Sequence, residues 1–490
     1  SKPMALLDWL AMHWVAGVLL ASYLTALLYN ALQGRRASAT MAGYYVGGRR
    51  FGGFAIGVSF FATFASTNSY IGHAGKGYAY GLPWLVMAAM LVLFTYISWR
   101  WIGPRTRRMA ASFDALTLPD FLASRFIAEQ DHNRHPLRLS AGLVIVFCSL
   151  LYLIAIFKGA GHLFALFFDI SYEAAVLLAL VIVVVYTSVG GFVSVVRTDV
   201  IQGGLMVVGA AMLFYFVTQA AGGVGTIVDL AEQPQHEYLF EWNGGIPFVV
   251  LLGVALSGSL KLIVDPRQLS RFYALQDERA AKQGLWVAVI GLTLVQACLY
   301  PIGIYAHLLL DNVSDTDLIV PTLINNAAIF PLWAADFLFV AIVAAAMSSI
   351  DSVLLVAAST GYKNLLAPLT RTQRPLWWTR LLVVVFALIA ALVALDPPGD
   401  ILQITIFSGS LYAACFFPAV VLGLYWSKGD ARAVLGSMLV GTLMLLLWLA
   451  LQLDSLLHEV FPALAVSLLT YIVLSQLREA ANPRSLAGDG

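Results

Sequence analysis

Residues 51–80 read FGGFAIGVSFFATFASTNSYIGHAGKGYAY, an apolar run long enough to cross a bilayer but interrupted at its middle by Ala65-Ser66-Thr67-Asn68-Ser69. A helix in lipid must satisfy its own backbone N–H and C=O groups, because no water is there to do so. Hydroxyl and amide side chains at mid-span compete for those groups and mark a point where the backbone leaves the helix. Irregular backbone at membrane depth is tolerated where it lines a site, and its carbonyls can replace the water shell of a cation. The run therefore predicts a broken helix with an ion site beside it.

The rest of the chain supplies the bilayer context. Apolar residues make up 60% and charged residues 11% of the 490 positions, with a mean hydropathy of +0.84. A soluble domain is about half apolar and a quarter charged. Lipid must therefore be the solvent for most of the length. Thirteen apolar runs follow one another: 9–31, 51–80, 83–103, 137–168, 173–190, 198–220, 245–264, 282–308, 333–364, 376–395, 400–424, 431–452 and 457–477. We refer to them as the first to thirteenth spans. The first is long and lacks a small-residue cleavage site, which predicts a true span in place of a signal peptide. The start at Ser1, with no initiator Met, is expected to reflect processing or trimming. Cys148, Cys298 and Cys415 lie inside apolar runs, without disulfide or metal spacing.

Charge sets the expected orientation. With the N-terminus outside, the inner connections receive Arg35, Arg36, Arg49 and Arg50, then Arg105, Arg107, Arg108, Arg125, Arg134 and Arg138, and later Arg267, Arg271, Arg279 and Lys282. Lys363, Arg371, Arg374, Lys428 and Arg432 fall on the same side. The outer connections carry acids such as Asp229, Glu232, Asp311, Asp315, Asp317, Asp396 and Asp400. This positive-inside bias predicts a C-terminus inside the cytoplasmic membrane. Two blocks of five spans result, 51–220 and 245–425, and an odd count makes their orientations opposite. The expected division adds a first span with linker at 1–50, an external loop at 221–244, two terminal helices over 426–477 and a disordered tail at 478–490. An inverted repeat calls for a second broken helix, and Gly253 with Ser257-Gly258-Ser259 in the seventh span is the expected counterpart. The segment 104–136 is polar enough for a surface loop or a short amphipathic helix.

In the ninth span Ala345, Ser348, Ser349 and Ser352 share one helical face. Small hydroxylic residues allow carbonyls to approach a cation, but they equally serve close helix packing, and spacing alone favours packing. Asp199 and Asp351 lie in or at the edge of spans, where a carboxylate costs at least ~2.5 kcal/mol unless paired or hydrated. For Asp199 a helix N-cap at the membrane surface and an ion-site role stand level. Lys76 and Lys261 can snorkel from near a helix end, whereas Lys158 sits deep and predicts a partner, either a buried acid or an anionic solute. His73 and His162 read as hydrogen-bonded interior histidines. No HExxH, GKS/T loop or GxSxG elbow occurs in credible context, the basic residues form no nucleic-acid face, and no ring of charges or filter motif suggests a channel.

Several segments together resemble one family, the sodium:solute symporters, which include sodium/glucose, proline, pantothenate, sialic acid and monocarboxylate carriers. The similarity runs from about Gly43 to Lys428. It rests on Tyr186-Thr-Ser-Val-Gly-Gly-Phe-Val-Ser194 with Thr198-Asp199-Val-Ile-Gln202, on Ser69-Tyr-Ile-Gly72 through Gly81, and on Asp265-Pro-Arg-Gln-Leu-Ser-Arg271. Ala345-Ala-Met-Ser-Ser349 and Phe417-Pro418 through Trp426 complete it. The resemblance implies an all-α polytopic membrane protein of about thirteen helices, with a LeuT-type 5+5 inverted repeat and an extra N-terminal helix. It implies a main sodium (Na+) site at the carbonyls of Ala62, Ala65 and Ala345 and the hydroxyls of Ser348 and Ser349. A second cation site in some members maps onto Asp199, Asp351 and Ser352, with a carboxylate at Asp351 where the family has a hydroxyl, so cation count and proton linkage stay open. The sugar carriers' Gln and Glu fall on Ser69 and Ala88 and are absent, which argues against a sugar. Tyr152-Leu-Ile-Ala155 with Gly159-Ala-Gly161 is similar to the matching helix of acetate and monocarboxylate carriers. The expected solute is a carboxylate or an amino-acid-like zwitterion, held by residues among Thr67, Asn68, Ser69, Lys158, Lys261 and Ser408. A transporter-like sensor and a proton-coupled carrier are the alternatives to sodium symport.

Overall fold

The computed structural model describes residues 6–128, 134–371 and 373–477, without the side chains of 6 and 185–190. The Tyr186–Gly190 side chains of the signature segment and the tail 478–490 thus lie outside the described residues. Among the described residues, ten helices are long and apolar enough to cross a membrane, and the shorter apolar helices Gly53–Phe64, Tyr172–Val184 and Val460–Gln476 accompany them. They coincide with the thirteen runs. The third span is longer than its apolar run and extends to Phe113. Pro104, which lacks an N–H, sits in the first turn of Gly103–Phe113, just after a wide π turn over Ser98–Ile102 that lets the helix pass it. A separate helix, Leu118–Phe126, lies within 104–136, where a surface loop or a short amphipathic helix is expected, and most of its residues are buried.

The helix contacts repeat when each of the second to sixth spans is exchanged with the span five places later. The second span packs on the eighth, and the seventh on the third; the fourth packs on the eleventh, and the ninth on the sixth. The second also packs on the sixth, as the seventh does on the eleventh, and the fourth and ninth cross each other. This exchange is the contact pattern of two five-helix units related by a two-fold axis, which is the LeuT-type inverted repeat. The ninth span lies at the centre: 94% of its apolar window is buried, against 28% for the first.

Three backbone events shape the middle of the bundle. The helix Gly53–Phe64 ends at Ala65, with φ −76° and ψ 69°. There the Ser66 N–H bonds the Phe64 carbonyl at 2.9 Å, an inverse γ-turn, and the Ser66 hydroxyl accepts the Asn68 N–H at 3.0 Å. A wide π turn, Asn68–His73, then leads into Ala74–Tyr80. The second break differs from expectation. The seventh span is helical from Phe248 through Val264, straight across Gly253 and Ser257-Gly258-Ser259. It breaks instead at Asp265, with ψ 123°, because Pro266 has no N–H and pushes the residue before it to an extended conformation. The Asp265 side chain then caps the short helix Pro266–Ala274 by accepting the Arg267 N–H at 2.9 Å. The Gly/Ser cluster serves as a packing seam: Ser257 Oγ donates to the Ile406 carbonyl at 2.8 Å and lies 2.9 Å from Ser410 Oγ. The third event is at Gly191, where φ is +66° and a Cβ would meet Ser38 Oγ at 2.6 Å. Only glycine fits this corner between the fifth and sixth spans.

At one end of the bundle the chain is tied by polar contacts. Phe51 and Leu275 form a short parallel bridge that joins the start of the second span to the end of Pro266–Ala274, so the two half-helices are linked. Asp120, on Leu118–Phe126, accepts from Arg138, from Lys363 at 2.6 Å and from Asn364 at 2.9 Å. Burial alone raises the Asp120 pKa, but Lys363 and Arg138 outweigh it and hold the carboxyl below its ordinary 3.8. A depressed pKa stabilises the fold above the unfolded value, and the benefit disappears as pH falls through the folded one. Thermal stability of the purified protein is therefore expected to drop below about pH 4, with a smaller acid-induced drop in Asp120→Asn, as read by a melting-temperature series in pH.

Candidate functional site

The site grows out of the Ala65 turn. Because the Ser66 N–H turns to Phe64, the Ala62 carbonyl loses its helical donor; because the Ser69 N–H turns to the Ser66 carbonyl, the Ala65 carbonyl loses its own. Both are left as bare oxygens in the middle of the bundle. The ninth span supplies hydroxyls opposite them. Ser349 Oγ donates to the Thr63 carbonyl at 2.9 Å, which docks the serine face directly on the break. Ser348, one residue earlier on that face, donates to Asp199 Oδ1 at 2.7 Å. Ala62, Ala65, Ala345, Ser348 and Ser349 are all fully buried. Carbonyl and hydroxyl oxygens in a dry setting make a donor set for a hard monovalent cation.

Asp199 does not cap a helix. The sixth span starts at Gly191, about two turns earlier, so Asp199 is interior and has no contact with solvent. Its carboxylate accepts from Ser59 at 2.6 Å and from Ser348, and Arg271 Nη2 stands 3.4 Å away. Arg271 also donates to Ser352 Oγ at 2.5 Å and to Ser59 Oγ at 3.1 Å. Asp199, Ser348 and Ser352 are thus brought together, but around a guanidinium of the chain itself. Asp351 is buried too, on a side of the ninth span that bears on Tyr23 in the first span.

The residues expected to hold solute divide. Thr67, Asn68 and Ser69 are buried at the break, and the Asn68 amide oxygen and nitrogen and the Thr67 hydroxyl have no hydrogen-bond partner among the described residues. Gly159 in the fourth span makes room for Thr67, since a Cβ there would lie 2.6 Å from its methyl. Ser408 turns its hydroxyl back on the Thr405 carbonyl of its own helix, 2.8 Å away. Lys158 is drawn away from the break. Its ammonium lies 2.9 Å from Asp317 and 3.7 Å from Asp315, and Asp317 also accepts the Ile401 N–H at 3.0 Å. The buried acid, of the two partners expected for Lys158, is the one present. Lys76 pairs with Asp400 at 2.8 Å in place of snorkelling, and His73 meets the Tyr300 hydroxyl at 3.0 Å as an interior histidine. Lys261 is the lysine that stays near the centre, with its Nζ 5.0 Å from the centroid of the Tyr152 ring. Tyr152 Oη lies 3.0 Å from Ser66 Oγ, so this ring touches the first break and neighbours the second. Sequence reasoning passed over Tyr152, Arg267 and Arg271 as functional groups, although each lay in a quoted motif, and over Asp317 among the acids of an outer loop.

A sequence model described as the sodium:solute symporter family matches residues 44–441. The chain belongs to that family. The symporter is 27% identical over 445 residues to the sodium/pantothenate symporter of Haemophilus influenzae, covering 89% of this chain and 90% of that one. It is 29% identical over 470 residues to an osmoregulated proline transporter of Bacillus subtilis, covering 94% of each. Among solved structures it superposes on a substrate-bound, outward-open, sodium-coupled sialic acid symporter with a TM-score of 0.76, at 20% identity over 96% of this chain and 99% of that one. The nucleobase-cation-symport-1 transporter Mhp1 in a closed conformation gives a TM-score of 0.57 at 14% identity, over 87% and 92%. The fold is therefore that of LeuT-type transporters. The symporter is a multi-pass membrane carrier that couples a small solute to sodium by alternating access; its relatives are transporters and not enzymes.

Proposed function

We propose that this symporter moves a small organic solute bearing a carboxylate, and not a sugar, inward across the cytoplasmic membrane together with sodium. Sodium sits between the Ala62 and Ala65 carbonyls of the broken second span and Ala345, Ser348 and Ser349 of the ninth. The observation that carries this reading is the Ser349 hydroxyl docked 2.9 Å from the Thr63 carbonyl, beside two carbonyls released by the Ala65 turn. Solute binds where both breaks meet Tyr152, with Thr67, Asn68, Ser69 and Lys261 as wall. The pantothenate and proline carriers among the relatives fit a carboxylate-bearing solute.

Residues 51–220 and 245–425 act as the two repeats that rock past each other, with the N-terminus outside and the C-terminus inside. The connection 310–331 then faces out, and the pairs Lys158–Asp317 and Lys76–Asp400 tie it and the eleventh span to the fourth and second. Opening outward requires those contacts to part. The gradient supplies the drive, ~2.3 kcal/mol per charge for each 100 mV of potential. In proteoliposomes, uptake of the true solute should fall to background when external sodium is replaced by potassium or choline. Undiminished uptake in potassium would reject the reading; uptake driven by a pH gradient without sodium would point to proton coupling, and binding with no uptake in any salt to a sensor.

A further inference from the structure

Two buried cations near the breaks, Lys261 and Arg267, have a single acid, Asp265, between them. Lys261 is 3% exposed and Arg267 is 2% exposed. Among the described residues, Lys261 Nζ makes its contact with the Tyr152 ring, and all three guanidinium nitrogens of Arg267 lack a hydrogen-bond partner. The acid facing Arg267 is Asp265, whose Oδ2 lies 3.5 Å from Nη2 while its Oδ1 accepts the Arg267 N–H. Both cations gather on one ring: Arg267 Cζ is 4.3 Å and Lys261 Nζ 5.0 Å from the Tyr152 centroid. By contrast Lys158 has Asp317, Arg271 has Asp199, and Lys76 has Asp400.

Charge counting then selects a ligand. With Lys261 protonated, Lys261 and Arg267 against Asp265 leave one excess positive charge at the middle of the bundle, where an uncompensated charge is costly, so a bound anion is what holds the lysine in its charged form. A monoanion cancels it. A zwitterion brings no net charge, and its ammonium group would meet two cations. The guanidinium offers paired N–H donors that match a carboxylate. We propose that Lys261 and Arg267, carried on either side of the Asp265 break and gathered on Tyr152, bind the carboxylate of a solute that has one negative charge and no ammonium group. The inference rests on the transport reading above and narrows it, since the proline-like solutes compatible with that reading are disfavoured here.

The test uses the purified full chain and thermal shift in sodium chloride, with matched probes: pantothenate against panthenol, and cyclopentanecarboxylate against its amide and against L-proline. Binding of a true ligand raises the melting temperature by mass action. We expect at least one of the monocarboxylates to stabilise the protein, its neutral counterpart and L-proline to give no shift, and Lys261→Gln or Arg267→Gln to weaken the acid roughly ten- to a hundredfold, the range for a hydrogen bond to a charged group. Lys261→Arg should retain most of the affinity, which separates lost charge from lost packing. Stabilisation by L-proline equal to that by an acid, or no shift with either acid, would overturn the inference. The unsubstituted chain answers both questions even if a Gln variant fails to fold. A shift by sodium chloride over potassium chloride without any organic probe reports on the ion site separately, so its loss would count against the transport reading itself.

Discussion

Ser349→Ala is expected to raise the sodium concentration needed for half-maximal uptake by roughly ten- to a hundredfold, because a hydroxyl dipole on a bound cation contributes about 1.5–3 kcal/mol. The same hydroxyl fastens the ninth span to the Thr63 carbonyl in the structure as it stands. Losing that neutral bond costs only about 1 kcal/mol, so the variant should remain folded. The two effects separate by measurement: melting temperature without sodium should move little, while the stabilisation that sodium confers should shrink. Ser348→Ala should act similarly and should in addition remove one donor from Asp199. Ser349→Thr keeps the hydroxyl and adds a methyl in a fully buried place, so partial coupling at some loss of stability is the expected result. Sodium-driven uptake in the Ser348→Ala/Ser349→Ala double variant with an unchanged sodium dependence would remove the ion from this face.

The parts of this architecture that were legible in the sequence are those set by local chemistry. Apolar length marks the spans, because each must cross lipid by itself. The Ala65 break was visible because Ser66, Thr67 and Asn68 offer the backbone alternative partners within two residues, and the Ser66 hydroxyl on the Asn68 N–H is such a contact. The serine face of the ninth span followed from helical period alone, yet its meeting with the second span needed the family resemblance, since 286 residues separate Ser349 from Thr63.

The second break shows how a local signal can be misread. Gly253 and Ser257-Gly258-Ser259 looked like an interruption, but small residues in a membrane helix equally let a neighbour approach, and here a Cβ at Gly258 would lie 2.5 Å from the Met87 methyl. The stronger breaker was Pro266, which cannot donate to the preceding turn. Charge pairing was the least legible. Lys158 plainly needed a partner, but Asp317 lies 159 residues away among several acids of similar appearance. Asp199 was ambiguous because it directly follows Arg197 and Thr198, which look like the start of the sixth span; the corner is set about two turns earlier by the backbone conformation of Gly191.

Arg271→Gln should destabilise the protein by about 3–5 kcal/mol, since it leaves the Asp199 carboxylate buried without its cation. Against a total stability of order 5–15 kcal/mol such a loss would show as poor yield and a large fall in melting temperature. Asp199→Asn removes the opposite charge and should cost a similar amount. The double variant Asp199→Asn/Arg271→Gln leaves two neutral amides beside Ser59, Ser348 and Ser352, and should recover much of the loss, because removing both charges also removes their desolvation. Sodium gives the decisive comparison. With the guanidinium gone, Asp199, Ser348 and Ser352 are free to attract an external cation, so Arg271→Gln should be stabilised by sodium more than the unsubstituted chain is. If Arg271→Gln instead matches the parent in stability without sodium, the carboxyl is neutral in the folded protein and the pair does not hold the sixth span to the second break.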